Sequence, residues 1–189
     1  MNTCLTRRPS CQQSHSRNAR GLTLVESLAG LATVAVALSS TLPGLKEVRL
    51  KKLLESTAAQ LKTDVNHARS LAVSQGAPVR LAVHQVTDGA CYVIHTGSAG
   101  DCSCNVQGTA QCRPGGAALH TVAIPGQQSL RLTSNSASMI FDGHRGTVTP
   151  TGSLSLTTAD GRSLRVVVNI MGRARTCSPG PTVRGYAAC

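Results

Sequence analysis

The sequence predicts an α+β protein: one long N-terminal helix followed by a β-rich head. Three observations carry this. Apolar residues recur at helical spacing until Gly76 and Pro78 stop the pattern, the period switches to two from residue 79, and Asp-Gly dipeptides punctuate the rest of the chain.

Residues 1–21 contain Arg7, Arg8, Arg17 and Arg20, no acid and no apolar run. A 21-residue stretch, Leu22 to Leu42, then carries Glu26 as its only charge. At helical rise it spans about 30 Å, enough for a bilayer and longer than the h-region of an ordinary secretory signal. The basic flank would stay in the cytoplasm and the rest of the chain outside. Past Pro43, Leu54, Ala58, Leu61, Val65, Ala68 and Ala72 form an apolar stripe on one helix face, and residues 43–76 are expected to pack on the head. Lys46, Lys51, Lys52, Lys62 and Arg69 alternate with Glu47, Glu55 and Asp64 elsewhere on this helix, reading as a solvated face. The helix would run from residue 22 to about 75, a length of roughly 80 Å. Residues 77–189 form the head. Strands are expected at 79–84 and 91–94 around Asp88-Gly89, near 118–124, 129–133 and 138–142, and at 154–156 and 164–168 around Asp160-Gly161. Residues 97–116, rich in Gly, Ser, Cys and polar residues, read as a loop.

Composition narrows the function. The 189 residues hold 19 Lys+Arg against 8 Asp+Glu, a net charge of +11, with 2% aromatics. So few rings exclude a base-stacking platform for single-stranded nucleic acid. The basic balance suits an acidic partner.

A carboxylate five residues into an apolar helix is costly. On physics alone it is either tolerated near the headgroups or has a role. Its context, Arg20-Gly21-Leu22-Thr23-Leu24-Val25-Glu26, resembles the class III signal of type IV pilins and pseudopilins. The resemblance implies cleavage after Gly21 by prepilin peptidase, an N-methylated Leu22 as the new terminus, and Glu26 at the fifth mature position. Leu22 departs from the Phe that the family prefers there. Pro43 falls where many pilins bend this helix. Glu26 would pair with the terminal amine of a neighbouring subunit and set axial register, since both charges would otherwise be stranded at low dielectric. Two C-terminal stretches, from Ile140-Phe141-Asp142-Gly143 and from Arg165-Val166-Val167-Val168 to Gly172-Arg173-Ala174-Arg175, are similar to the heads of FimT/GspH-type minor pilins. That family implies two antiparallel β-sheets packed against the C-terminal half of the helix.

Cys4 and Cys11 would leave with the leader. Cys91, Cys102, Cys104, Cys112, Cys177 and Cys189 remain, an even number in an exported head, which favours disulfides with fifteen possible pairings. Pilins often staple a terminal loop, which implies Cys177 with Cys189; the other four would tie the 91–112 region together. The competing zinc or redox reading of Cys102, Cys104 and Cys112 lacks C-x-x-C spacing and a nearby His. His67, His84, His95, His120 and His144 are scattered, and neither a nucleophile elbow nor paired acids occur, so no enzymatic activity, cofactor or metal is expected.

Removing the leader leaves 15 basic against 8 acidic residues, a net +7, and eight Arg against two Asp from Arg113 onward account for +6 of it. Gly172-Arg173-Ala174-Arg175 matches the G-R-x-R motif of FimT-like pilins that capture DNA for natural transformation. On a strand Arg173 and Arg175 would point the same way, Gly172 would leave the approach clear, and Arg184 could join them from the terminal loop. Guanidinium forks suit phosphate oxygens. The expected function is therefore a non-catalytic minor pilin, anchored in the inner membrane, assembled with other pilins and binding extracellular double-stranded DNA. The alternative is a GspH-like minor pseudopilin of type II secretion.

Overall fold

A computed structural model describes residues 23–126, 129–180 and 183–189; within its first helix nothing is described of the side chains of residues 38–44. The processing residues Gly21 and Leu22, together with Cys4 and Cys11, lie outside the described residues. The chain divides into two compact units, Met1–Pro43 and Gly44–Cys189.

Helix α1 runs from Leu24 to Gln75 without a break at Pro43. At its start the Glu26 amide donates to Thr23 Oγ1 at 3.3 Å. Thr-x-x-Glu is the capping-box pattern, and an acid in the first turn also complements the helix dipole. Glu26 thus has a local reason to sit where it does. Leu24, Val25, Leu28, Leu31 and Val34 are exposed. Among the described residues no helix is long and apolar enough to cross a membrane; of the 22–42 stretch, Leu22 and the side chains of residues 38–42 lie outside the description.

In the second unit the stripe Leu54, Ala58, Leu61, Val65, Ala68 and Ala72 is fully buried. The helix ends where Gly76 adopts φ 60°, a left-handed stop. Among the described residues eleven strands succeed it: β1 (Val79–Val86), β2 (Gly89–Thr96), β3 (Cys102–Cys104), β4 (Ala110–Cys112), β5 (Ala117–Pro125), β6 (Leu130–Ser134), β7 (Ser138–Phe141), β8 (Val148–Thr149), β9 (Gly152–Thr158), β10 (Ser163–Val168) and β11 (Ala174–Cys177). They form a five-stranded sheet, β5-β2-β1-β7-β8, a four-stranded sheet, β11-β10-β9-β6, and the β3-β4 hairpin. Every pairing between these strands is antiparallel. The inner faces of both large sheets join the helix stripe in one core, through Leu81, Tyr92, Ile94, Phe141, Leu132, Leu154, Leu156, Leu164 and Val166 among others. β9 shows why the period is two: Gly152, Leu154, Leu156 and Thr158 are buried and the residues between them are not.

Three expectations about the fold need correction. Residues 97–116 are not all loop, because β3 and β4 pair there, Cys102 opposite Cys112. Three-residue strands are too short to show a period. What forms them is a turn, in which Asn105 Oδ1 accepts from the amides of Gln107 and Thr109, together with two disulfides, Cys102–Cys112 and Cys91–Cys104. The second disulfide ties the hairpin onto β2, so Cys91 and Val93 are buried on the face away from the helix and β2 shows no alternation. The hairpin turn between β1 and β2 also sits one residue early: Val86 pairs with Gly89, leaving Thr87 and Asp88 as the loop.

The helical charge run is likewise not all solvated. Asp64 is 9% exposed and accepts the Tyr92 hydroxyl at 2.5 Å; His120 Nε2 lies 3.6 Å from the same carboxylate oxygen. Burial first, and then the bond to Asp64, push the Tyr92 phenol well above its ordinary range. This contact joins α1, β2 and β5. Arg69, further along the helix, also turns toward the head.

Candidate nucleic-acid interface at the last hairpin

β10 and β11 are joined by a turn whose form is set by four residues. The Gly172 amide donates to the Asn169 carbonyl at 2.8 Å and the Asn169 amide to the Arg173 carbonyl at 3.2 Å. Asn169 Oδ1 accepts from the Arg173 amide at 3.0 Å. Gly172 has φ 69°. A β-turn closed by a left-handed residue is a standard hairpin connection, and Asn and Gly are the residues that it favours.

Gly172 is buried, which corrects its expected role. It does not clear a path to the arginines. A Cβ there would stand 2.5 Å from the Gly146 carbonyl oxygen and 2.8 Å from Arg69 Cδ. The turn is pressed against helix and loop, and Gly172 is the residue small enough to allow it. Arg69 Nε donates to the same Gly146 carbonyl at 2.9 Å, and the Val148 amide donates to the Ile170 carbonyl at 2.9 Å. Sequence reasoning missed Arg69. A helix arginine inside a charge run gives no signal that it fixes a turn about 100 residues away.

The 142–147 loop beside this turn is ordered by Asp142. Its Oδ1 accepts from the amides of Arg145 at 2.7 Å and His144 at 3.0 Å. Those backbone bonds, Arg145's first, hold the Asp142 carboxyl below its ordinary range. Arg145 is exposed.

Arg173 and Arg175 are both exposed and line one shallow depression with Val167, Asn169 and Ala174. Arg184 is exposed but does not line it. Its loop is closed by Cys177–Cys189 and anchored by buried Val183 and by Tyr186, which packs against the core. Among the described residues none of Arg145, Arg173, Arg175 and Arg184 is in an ion pair. Arg162 contrasts with them: it bridges Asp160 at 2.7 Å and Glu47 at 3.0 Å. The chemistry available at the hairpin is anion recognition by unspent guanidinium groups. Among the described residues no three His, Cys, Asp or Glu side chains converge into a metal site.

A long N-terminal helix whose second half is buried against two antiparallel sheets defines a pilin-type subunit. The family model described as "Type II transport protein GspH" matches residues 57–172, and the chain belongs to that family. The match stops at Gly172, so Arg173, Arg175, Arg184 and the terminal disulfide lie beyond it. Among solved structures, the type IV minor pilin FimU of Pseudomonas aeruginosa is similar in two crystal forms. One has 21% identity, covering 66% of this chain and 87% of FimU, with a TM-score of 0.48. The other has 20% identity, covering 72% of this chain and 99% of FimU, also with a TM-score of 0.48. The minor pseudopilin EpsH of the Vibrio cholerae type 2 secretion system has 14% identity, covers 67% of this chain and 98% of EpsH, and has a TM-score of 0.47. No curated protein matches the chain.

Proposed function

We propose that this chain is a minor pilin of a type IV pilus, and that its head binds extracellular duplex DNA through arginine–phosphate contacts. The observation that carries the proposal is the pair Arg173 and Arg175, exposed around one depression that no acid lines. Arg184 adds a third guanidinium from a loop that the Cys177–Cys189 disulfide pre-orders. Such contacts read the backbone and not the bases, so binding is salt-sensitive and largely independent of sequence. Three to five of them give roughly micromolar affinity, which neighbouring subunits in a filament would raise by avidity.

In this reading prepilin peptidase cuts after Gly21 and Leu22 becomes an N-methylated terminus. Residues 22–42 hold the protein in the inner membrane, with the head in the periplasm. On assembly, Glu26 pairs with the terminal amine of a neighbouring pilin. The exposed Leu24, Val25, Leu28, Leu31 and Val34 support this, because such a surface needs lipid or neighbouring helices to cover it. A gel shift with oxidised protein and its Arg173→Gln/Arg175→Gln variant tests the DNA contact. The variant should bind more weakly, and unchanged affinity would sink the idea.

One observation favours a second reading. The family model carries the description of a type II transport protein, which suits a pseudopilin whose partners are other pseudopilins and secreted proteins. A deletion strain separates the two: loss of DNA uptake supports the first, loss of exoprotein secretion the second.

A further inference from the structure

The turn between β10 and β11 carries two residues that phosphate binding does not explain. Ile170 is 61% exposed and Met171 51% exposed. They occupy the two central positions of the Asn169–Gly172 turn, where small polar residues are the usual choice. Single exposed apolar residues are ordinary; two adjacent ones at the centre of a turn form a small apolar knob. The turn is also held firmly. Its Ile170 carbonyl is bonded to Val148, its Gly172 is wedged against Gly146, and Arg69 fastens Gly146 from the helix. A rigid apolar knob presented to water has the form of an insertion element.

Its surroundings choose the partner. Arg173 and Arg175 come after the knob in the chain, and Arg145 is next to the Gly146 that packs on the turn. His144 is also exposed there. The nearby acid, Asp142, has its Oδ1 engaged by two backbone amides. An apolar point with unpaired arginines nearby matches a surface with anionic walls and, between stacked bases, an apolar slot that a wedge can open. The minor groove of duplex DNA is such a surface: about 6 Å wide, edged by phosphates, with base steps at its floor. Ile and Met are among the side chains that minor-groove proteins insert between base steps.

Resting on the DNA reading above, we propose that Ile170 and Met171 form a minor-groove wedge, with Arg145, Arg173 and Arg175 gripping the phosphates on either side. The wedge partly unstacks one base step and widens the groove. It favours A·T steps, whose minor groove lacks the guanine amino group.

The test uses the full-length oxidised protein and an A·T-rich duplex with 2-aminopurine at its centre. Saturating protein should raise the 2-aminopurine fluorescence, which reports unstacking, and a minor-groove drug bound beforehand should block the rise. The Ile170→Ser/Met171→Ser variant should still bind with the same salt slope, about tenfold more weakly, and without the fluorescence rise. An Ile170→Leu/Met171→Leu variant should restore it. Both substitutions lie at exposed turn positions, and an unchanged melting temperature verifies the fold. Saturated binding without a fluorescence rise would overturn the wedge and leave phosphate binding intact, freeing the knob for a protein partner. A rise that survives in the serine variant would also overturn it. No binding of duplex by wild type would remove the DNA reading and the wedge together.

Discussion

Gly172 offers a quantitative test of how the arginine hairpin is held. Replacing it with Ala introduces two costs. A non-Gly residue at φ 69° costs roughly 1–2 kcal/mol. The new Cβ would also meet the Gly146 carbonyl oxygen at 2.5 Å, a backbone atom, besides the more yielding Arg69 Cδ at 2.8 Å. Relieving an overpacked site of this kind costs about 1–3 kcal/mol. The sum is roughly 3 kcal/mol, or a fall of about 6–12 °C in melting temperature for a domain of this size. Gly161 provides the control. It has φ 84°, and nothing lies within 4 Å of its missing Cβ, so Gly161→Ala should show the conformational cost alone, about 1–2 kcal/mol. Urea denaturation of wild type and both variants measures the difference. If Gly172→Ala is no worse than Gly161→Ala, the turn is not packed against Gly146 and Arg69 as described, and the positions of Arg173 and Arg175 lose their explanation. If the packing holds, Gly172→Ala should also weaken DNA binding, although it removes no charge.

Other consequences are testable separately. Tyr92→Phe leaves the largely buried Asp64 without its hydroxyl donor and should cost about 1–3 kcal/mol in chemical denaturation. Replacing Cys177 and Cys189 with Ser opens a loop whose ends are 12 residues apart; the chain-entropy argument gives a loss of about 3 kcal/mol, and loosening of the 178–189 segment should appear as faster amide exchange. Asp142 has a folded pKa below its unfolded value. Its contribution is therefore complete above about pH 4 and is lost as pH falls through the folded value. The protection of the His144 and Arg145 amides, relative to intrinsic exchange at each pH, should fall on acidification, and Asp142→Asn should flatten that dependence.

Much of the fold was legible because it rests on repeated signals. The stripe from Leu54 to Ala72 advances by threes and fours along the helix, and every one of its residues is buried. β9 buries every second residue as its sequence alternates, and β10 does so too, although Val166-Val167-Val168 is a continuous apolar run. The features that escaped were set by single long-range contacts. β3 and β4 exist because disulfides pin them, and three residues carry no period. Asp64 reads as one more charge on a charged face until β2 brings Tyr92 over it. Asp88-Gly89 marks its hairpin, but Thr87 and Asp88 form the loop, because pairing with β1 draws Gly89 into β2.

The candidate site shows the same division. Arg173 and Arg175 were visible as an R-x-R string; they were expected on one strand, but Arg173 precedes β11 and only Arg175 lies in it, and both line the same depression. Gly172 was visible but misread, since its packing partners are 26 and 103 residues away in the chain. Arg145, Ile170 and Met171 gave no motif. They matter because the 142–147 loop and the last hairpin meet across Gly146, a contact fixed only by tertiary structure.

The central claim is that exposed arginines of the last hairpin bind DNA phosphates. The most direct measurement is the affinity of the oxidised full-length protein and its Arg173→Gln/Arg175→Gln variant for a duplex over a series of salt concentrations. Each phosphate contact contributes about 0.9 to the slope of log affinity against log salt. The account predicts micromolar binding by wild type, weaker binding by the variant, and a slope reduced by about two. Equal affinities and equal slopes for the two proteins would contradict it.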